Sequence, residues 1–205
     1  MSTSATPAVR GRPRSFDYDV VLEQALEVFW RHGYQSTTTR DLEAALGLSQ
    51  SSIYNTFGSK EGLLSAALDR YEALVDRDVL GPLEASDRGL AAVDEFLVAL
   101  GHWVTHGGRR GCMLINMMAE DGGTTIAIRD RTRDYRRRVR DALARALGRA
   151  AAAGETDQAA VDTRADLLIG IILGLNIAAR GGASDDEQAR LLASARHEVE
   201  TWATA

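Results

Sequence analysis

Four polar side chains in a row, Ser49, Gln50, Ser51 and Ser52, open a short stretch whose remaining pattern is helical. In a first helical turn such residues stand beside backbone N–H groups that have no partner of their own, so side chains and main chain together present hydrogen-bonding groups outward. The chemistry this tip supports is recognition of a duplex: a Gln amide matches the edge of adenine, and a Ser hydroxyl serves a base or a phosphate. Lys60, the only lysine of the chain, falls in the first turn of the following helix with Ser59 as its cap. Helix N-termini attract anions, so a phosphate contact is expected of Lys60.

A second group of chemically useful residues lies mid-chain. Three of the four methionines fall between Cys112 and Met118. Met113 and Met117 suit an adaptable pocket, and Asn116 among them can orient a ligand. Trp103 and His106 upstream and Asn176 downstream are candidates for the same cavity, although core packing explains each position singly. Cys112 follows two arginines, which favour a thiolate when they lie close. That leaves a thiol- or electrophile-sensing alternative beside the reading of Cys112 as a small buried hydrophobe. His102 and His106 are one helical turn apart and could share a metal with Cys112. No carboxylate cluster at ligand spacing joins them, so a metal-binding helical bundle without nucleic-acid function is a remote alternative, and no metal or cofactor is assigned. Neither a Gly-rich phosphate loop, a nucleophile elbow nor a paired His/carboxylate motif is found, so an enzyme has no residues to stand on.

The elements that must position these residues are legible as helices. Thr38 and Asp41 form a capping-box start, and Leu42 and Ala45 give the inward face of a short helix. Leu46-Gly47-Leu48 turns the chain, since Gly supplies a left-handed backbone. Ser49 caps a second short helix with Ile53 and Phe57 inside, which makes a helix-turn-helix whose second helix reads. Ahead of it, 17–32 carries Leu22, Ala25, Leu26 and Phe29 as a core stripe, and Gly33 ends it. Beyond it, a helix from 60 to about 80 is expected to stop at Gly81-Pro82. Helices over 88–105, 112–119, 125–153, 158–180 and 185–202 follow, with a Gly/Arg break at 107–111. The expected fold class is all-α with nine helices, since abundant Ala, Leu and Arg and only 3 Pro favour helix nearly throughout.

This stretch resembles the TetR family of transcriptional regulators. The shared pattern is Thr38-Thr39, Asp41 through Gly47-Leu48-Ser49, Ser52-Ile53-Tyr54-Asn55-Thr56-Phe57, Ser59-Lys60-Glu61 and Leu63, preceded by Phe29-Trp30-Arg31-His32-Gly33-Tyr34. It covers roughly the first third of the chain. The resemblance implies that Thr39 and Arg40 hold phosphates and that Tyr54 and Asn55 contact the DNA backbone and bases, with Thr38 beside them. It implies a DNA-binding head over 17–62 and a body over 63–205 that dimerises and holds a small molecule. The polar stretch 1–16, with Arg10, Arg12 and Arg14, reads either as a flexible basic arm that follows phosphates or enters a minor groove, or as a disordered, solvated leader. The expected partners are a palindromic double-stranded operator, a second copy of the chain and an effector that releases it, repression being the family's majority behaviour. Some electrophile-sensing relatives carry a cysteine at the start of the helix equivalent to that of Cys112.

For the dimer, Gly170, Gly174 and Ala178 recur every fourth residue and leave one helical face nearly bare. Each Gly costs about 1 kcal/mol relative to Ala, which asks for a closely approaching helix. Leu168, Ile171, Ile172 and Leu175 flank that face, and Leu191, Leu192 and Ala195 of the last helix complete what resembles the family's four-helix dimer contact. Burial inside one subunit is the alternative.

The net charge of −5 conceals a division. Residues 1–60 hold six basic side chains and six acids, and Arg10, Arg12 and Arg14 stand in 1–16 without any acid. Salt screens charges beyond roughly 10 Å, so the local field decides phosphate affinity. The arginine run from Arg129 to Arg140 is interspersed with aspartates, and Asp134–Arg138 and Asp141–Arg145 at i, i+4 predict a self-paired, solvated face. A single cysteine excludes an internal disulfide framework. The longest apolar run, 167–179, is interrupted by Asn176 and too short for a membrane span. With no hydrophobic signal core at the N-terminus, a cytoplasmic protein is expected.

Overall fold

Side-chain caps start each of the first four helices. Asp17 accepts from the N–H groups of Asp19 and Val20, Thr38 from Asp41, Ser49 from Ser52 and Ser59 from Gly62. Each such cap satisfies an orphan donor and stabilises its helix by roughly 1 kcal/mol. In this computed structural model they begin α1 (Tyr18–His32), α2 (Thr39–Leu46), α3 (Gln50–Phe57) and α4, which opens with Lys60–Val75. The structure describes residues 16–109, 111–118 and 125–203, and only the backbone of 106–109. The arm expected over 1–16 therefore lies outside the described residues, except for Phe16.

Positive-φ glycines separate the head's helices: Gly33 (φ 76°), Gly47 (φ 64°) and Gly58 (φ 78°). These turns fold α1 to α3 over a common apolar centre. Ala25, Leu42, Ile53 and Leu63 are fully buried there, and each of the larger ones stabilises by about 1.5–3 kcal/mol. Tyr18 stacks on Phe57 with ring centres 5.5 Å apart, joining α1 to the end of α3.

Gly81-Pro82 does not stop α4. After Lys60–Val75 the helix widens into a π-helical turn over Asp76–Leu80 and continues through Gly81–Ala85. The Gly81 N–H reaches back five residues to the Asp76 carbonyl, and Pro82 follows within the next turn. The wider ladder accommodates a residue that lacks a donor. A Cβ on Gly81 would come within 2.4 Å of the Asp76 oxygen, which explains the Gly.

The body adds α5 (Gly89–Arg109), α6 (Met113–Met118), α7 (Ile126–Ala152), α8 (Val161–Arg180, after a 3-10 turn at Gln158–Ala160) and α9 (Asp185–Glu200). The all-α class and nine helices hold among the described residues. α5 runs past the expected end at 105, through Gly107 and Gly108. No helix among the described residues is long and apolar enough to cross a membrane.

Four arginines of α7 clasp α4. Arg131 meets Asp69 at 2.7 Å and Glu72 at 2.5 Å, and Arg138 meets Asp76 at 2.9 Å. Arg145 reaches Glu84 at 3.0 Å, and Arg149 donates to the Leu83 carbonyl. The expected Asp134–Arg138 and Asp141–Arg145 pairs are therefore corrected: Asp134 pairs with Arg137 at 2.9 Å, and the two arginines turn to α4 carboxylates. Packing α7 against α4 offers them partly buried acids, where an ion pair is less screened than on an open face.

Candidate nucleic-acid interface and effector cavity

Along α3 the side chains divide cleanly. Ile53 is wholly buried, whereas Gln50, Ser51 and Asn55 are exposed and Ser52 and Tyr54 half-buried. Ser49 holds the tip together, its Oγ lying 3.0 Å from the hydroxyls of both Ser51 and Ser52. An unforeseen residue completes the tip: the Glu43 carboxylate of α2 accepts from the Gln50 N–H at 2.7 Å. It lies seven positions upstream across the turn, beyond any local capping pattern.

The preceding helix is fixed to the reading helix through polar contacts. Thr39 Oγ1 lies 3.0 Å from the Tyr54 hydroxyl, so both expected DNA contacts are also a strut between α2 and α3. Thr38 donates through its N–H (2.8 Å) and its hydroxyl (2.7 Å) to the Asp41 carboxylate. Those bonds hold Asp41 below the usual carboxylate range. Arg40 is exposed and forms no ion pair among the described residues, which leaves its guanidinium available for a phosphate.

Lys60 has partners inside the protein that its place in the sequence did not announce. Its ammonium donates to the carbonyls of Tyr34 (2.8 Å) and Thr37 (2.7 Å) and lies over the Tyr34 ring, 4.4 Å from its centre. Two of its three N–H groups are thus spent inside the protein, where the ammonium braces the α1–α2 loop. The long flexible stem lets the charge fold back to carbonyls that no helix satisfies.

In the body, an apolar cavity of about 30 Å³ lies among α4, α5, α7 and α8. That volume holds a water molecule but no larger guest without side-chain movement. Trp103 and Cys112 line it, as expected, together with Val79, Leu80, Leu100, Tyr135 and Arg136. Met113 and Met117 do not line it; they are buried in the core, 1% and 3% exposed. Asn176 is also corrected: its Oδ1 accepts from the Cys112 N–H at 2.5 Å and its Nδ2 donates to the Ile172 carbonyl at 2.7 Å. It clamps the loop at Gly111, whose φ is +68° and where an added Cβ would stand 3.4 Å from Asn116 Oδ1. Asn116 is likewise buried away from the cavity wall. His106 sits on α5, its side chain outside the description.

Cys112 is buried, its thiol in contact with the hydroxyls of Tyr71 and Tyr135. Burial pushes the thiol above its ordinary 9.0, against those hydrogen bonds. Tyr71, which the sequence did not single out, also accepts from Trp103 Nε1 at 3.0 Å and from the Met113 N–H at 3.2 Å. The two arginines before Cys112 fall outside the described side chains. Among the described residues, no group of three or more His, Cys, Asp or Glu could hold a metal ion.

The glycine-marked face of α8 is open. A Cβ on Gly170 or Gly174 would meet nothing within 4 Å, and Leu191 (41%), Leu167 (45%) and Ile177 (64%) are exposed beside them. Ile171 and Ala178 are half-buried on that side. Leu168, Ile172 and Leu175 are corrected, since they point into their own subunit's core at 5% exposure or less. Leu192 is half-buried and packs against Gly101, and Ala195 is buried at the floor of the open groove that Gly174, Ala178 and Leu191 line. At 3.6 residues per turn, positions 168, 171, 172 and 175 share one face, which turns inward, and 170, 174 and 178 lie about a third of a turn away from it.

Comparison with known proteins gives a consistent picture. Residues 21–67 match the family pattern described as "Bacterial regulatory proteins, tetR family", and residues 89–202 match "Tetracyclin repressor-like, C-terminal domain". The chain is similar to the HTH-type transcriptional repressor ComR of Escherichia coli (strain K12), 32% identical over 196 residues, or 90% of each chain. It is 28% identical over 187 residues to the HTH-type transcriptional repressor AcnR of Corynebacterium diphtheriae, covering 91% of this chain and 93% of that one. Among solved structures, a cysteine mutant of the TetR family regulator CifR complexed with 26-bp operator DNA superposes with a TM-score of 0.83. It is 27% identical and covers 94% of this chain and 100% of that one.

Proposed function

From the premise that this chain belongs to the TetR family of bacterial regulatory proteins, we propose that it is a homodimeric repressor whose α3 helices read a palindromic operator until a small molecule enters the body. One observation carries this reading. Gln50, Ser51 and Asn55 stand exposed along a helix whose opposite side, at Ile53, is completely buried. Such an arrangement leaves base-pairing chemistry at the surface of a rigid support.

The head, 17–62, binds DNA through α3 and through Thr39 and Arg40 of α2, and the arm over 1–16 follows phosphates. The body, 63–205, dimerises through the open face of α8 and α9. Two reading helices must then enter successive major grooves about 34–36 Å apart. An effector that favours a wrongly spaced dimer weakens binding by its differential affinity for the two states. The protein acts by binding rather than catalysis, in the cytoplasm. Both ComR and AcnR are named transcriptional repressors, which supports the sign of regulation.

A covalent thiol sensor is the second reading, because Cys112 lines the cavity beside two hydroxyls. The burial that keeps the thiol protonated favours the non-covalent reading. The test is selection of genomic fragments by the purified dimer, followed by mobility shifts at several salt concentrations. A single palindromic class, bound far more tightly than random duplex, is expected. Equal affinity for all duplexes, or none, overturns the proposal.

A further inference from the structure

The cavity wall carries one charged side chain, Arg136, among otherwise apolar or neutral residues. Arg136 and Ile169 also line an adjoining open groove with Arg133, Arg137, Arg140 and Asp166, so the Arg136 side chain lies between the cavity and solvent. Its neighbours are committed elsewhere. Arg133 pairs with Asp130 at 3.1 Å, Arg137 with Asp134 at 2.9 Å, and Arg140 with Asp162 and Asp166 at 2.9 and 2.8 Å. Glu72 and Asp76, the acids nearest Tyr135, are held by Arg131 and Arg138. Arg136 is exposed and forms no ion pair among the described residues. Inside the cavity, Tyr135 and Cys112 offer neutral hydroxyl and thiol groups, which neither repel an anion nor hold a cation.

The geometry points to an amphiphilic anion as the effector, its apolar body against Val79, Leu100, Trp103 and Val139 and its carboxylate or phosphate on Arg136. The inference deepens the regulator reading and rests on it. A planar guanidinium offers paired donors to either headgroup. Because the cavity holds only about 30 Å³ in this state, the entering tail must displace its wall. Val75, Val79 and Leu80 of that wall belong to, or adjoin, the π-turn of α4. The ligand therefore presses on the widest turn of the helix that runs from the head.

The test titrates the intact dimer with octanoate, octyl phosphate and octanol, which share a tail and differ in headgroup. Trp103 fluorescence and calorimetry give the readout. At least one anion is expected to bind about fivefold or more tightly than octanol, the scale of one charge-assisted contact at a partly exposed site. Arg136→Gln should abolish that preference while octanol binding stays unchanged. The two anions distinguish a carboxylate from a phosphate effector. Equal binding of octanol, no saturable binding of either anion, or a preference that survives Arg136→Gln overturns the inference. The titration needs no DNA, and ligand-free operator affinity of Arg136→Gln, expected to equal the parent's, reads the regulator assignment separately.

Discussion

Lys60 sets its ammonium nitrogen 2.8 Å from the carbonyl oxygen of Tyr34 and 4.4 Å from the centre of that residue's ring. With the Thr37 carbonyl as a third partner, this one side chain holds the loop that delivers Thr38 and Thr39 to α2. Lys60→Met keeps the stem and removes the charge. It should lower unfolding free energy by about 1–3 kcal/mol, the cost of orphaned acceptors. Urea denaturation checks this. The salt dependence of operator binding should barely change, and a slope reduced by a full unit would return Lys60 to the phosphates.

Arg40 and Gln50 should separate into two behaviours. Arg40→Ala is expected to weaken binding to every duplex and to reduce the slope of log affinity against log salt by about one. Gln50→Ala should cost about 1–3 kcal/mol on the preferred operator and blur the preference at one base position. Anisotropy titrations on matched and substituted operators distinguish them. Loss of sequence preference in the Arg40 variant would reverse the two roles.

Cys112 should resist alkylation. Iodoacetamide at pH 8 is expected to label the folded protein at least about a hundredfold more slowly than the urea-unfolded chain, because only a thiolate attacks and burial suppresses it. The same burial fixes the direction of pH dependence. Cys112, Tyr71 and Tyr135 all titrate above their ordinary values of 9.0 and 10.0. Their contribution to stability is complete below the ordinary thiol value. It is lost as pH climbs from there towards the raised folded values, since the unfolded chain releases these protons first. Melting temperature should therefore fall above pH 9, and rapid labelling of the native protein would favour the covalent sensor.

Gly174 offers a test that opposes two effects. Within one chain an added side chain there meets open space, so Gly174→Ala should strengthen the helix by up to about 1 kcal/mol. Gly174→Leu and Leu191→Asp should instead shift the dimer towards monomer, as read by sedimentation. Unchanged dimers in both would mean that α8 and α9 meet no partner at this face.

The head was legible because its signals are local: caps at Thr38, Ser49 and Ser59, a glycine at each turn, and an apolar period that places Ile53 inside. What it hid lies where a side chain acts across distance. Lys60 bonds to residues 26 and 23 positions away, and Glu43 caps a helix seven positions on. The body was less legible for the same reason. Met113, Met117, Asn116 and Asn176 have pocket-like types, but long-range packing turns them to the core or to a backbone clamp. Arg136 was hidden inside a run whose aspartates suggested full neutralisation, and three-dimensional pairing leaves it over.

The π-turn of α4 bears on how kindred chains can differ in length. A helix containing such a turn is an ordinary one carrying a residue too many. Deleting any one position between 76 and 80 would restore the regular ladder while keeping Lys60 and Leu83 on their present sides. Aligned kin should accordingly show single-residue gaps in this window and not in the turns around it. Shortened chains would keep their aim but lose the slack through which an incoming guest can tug on the head.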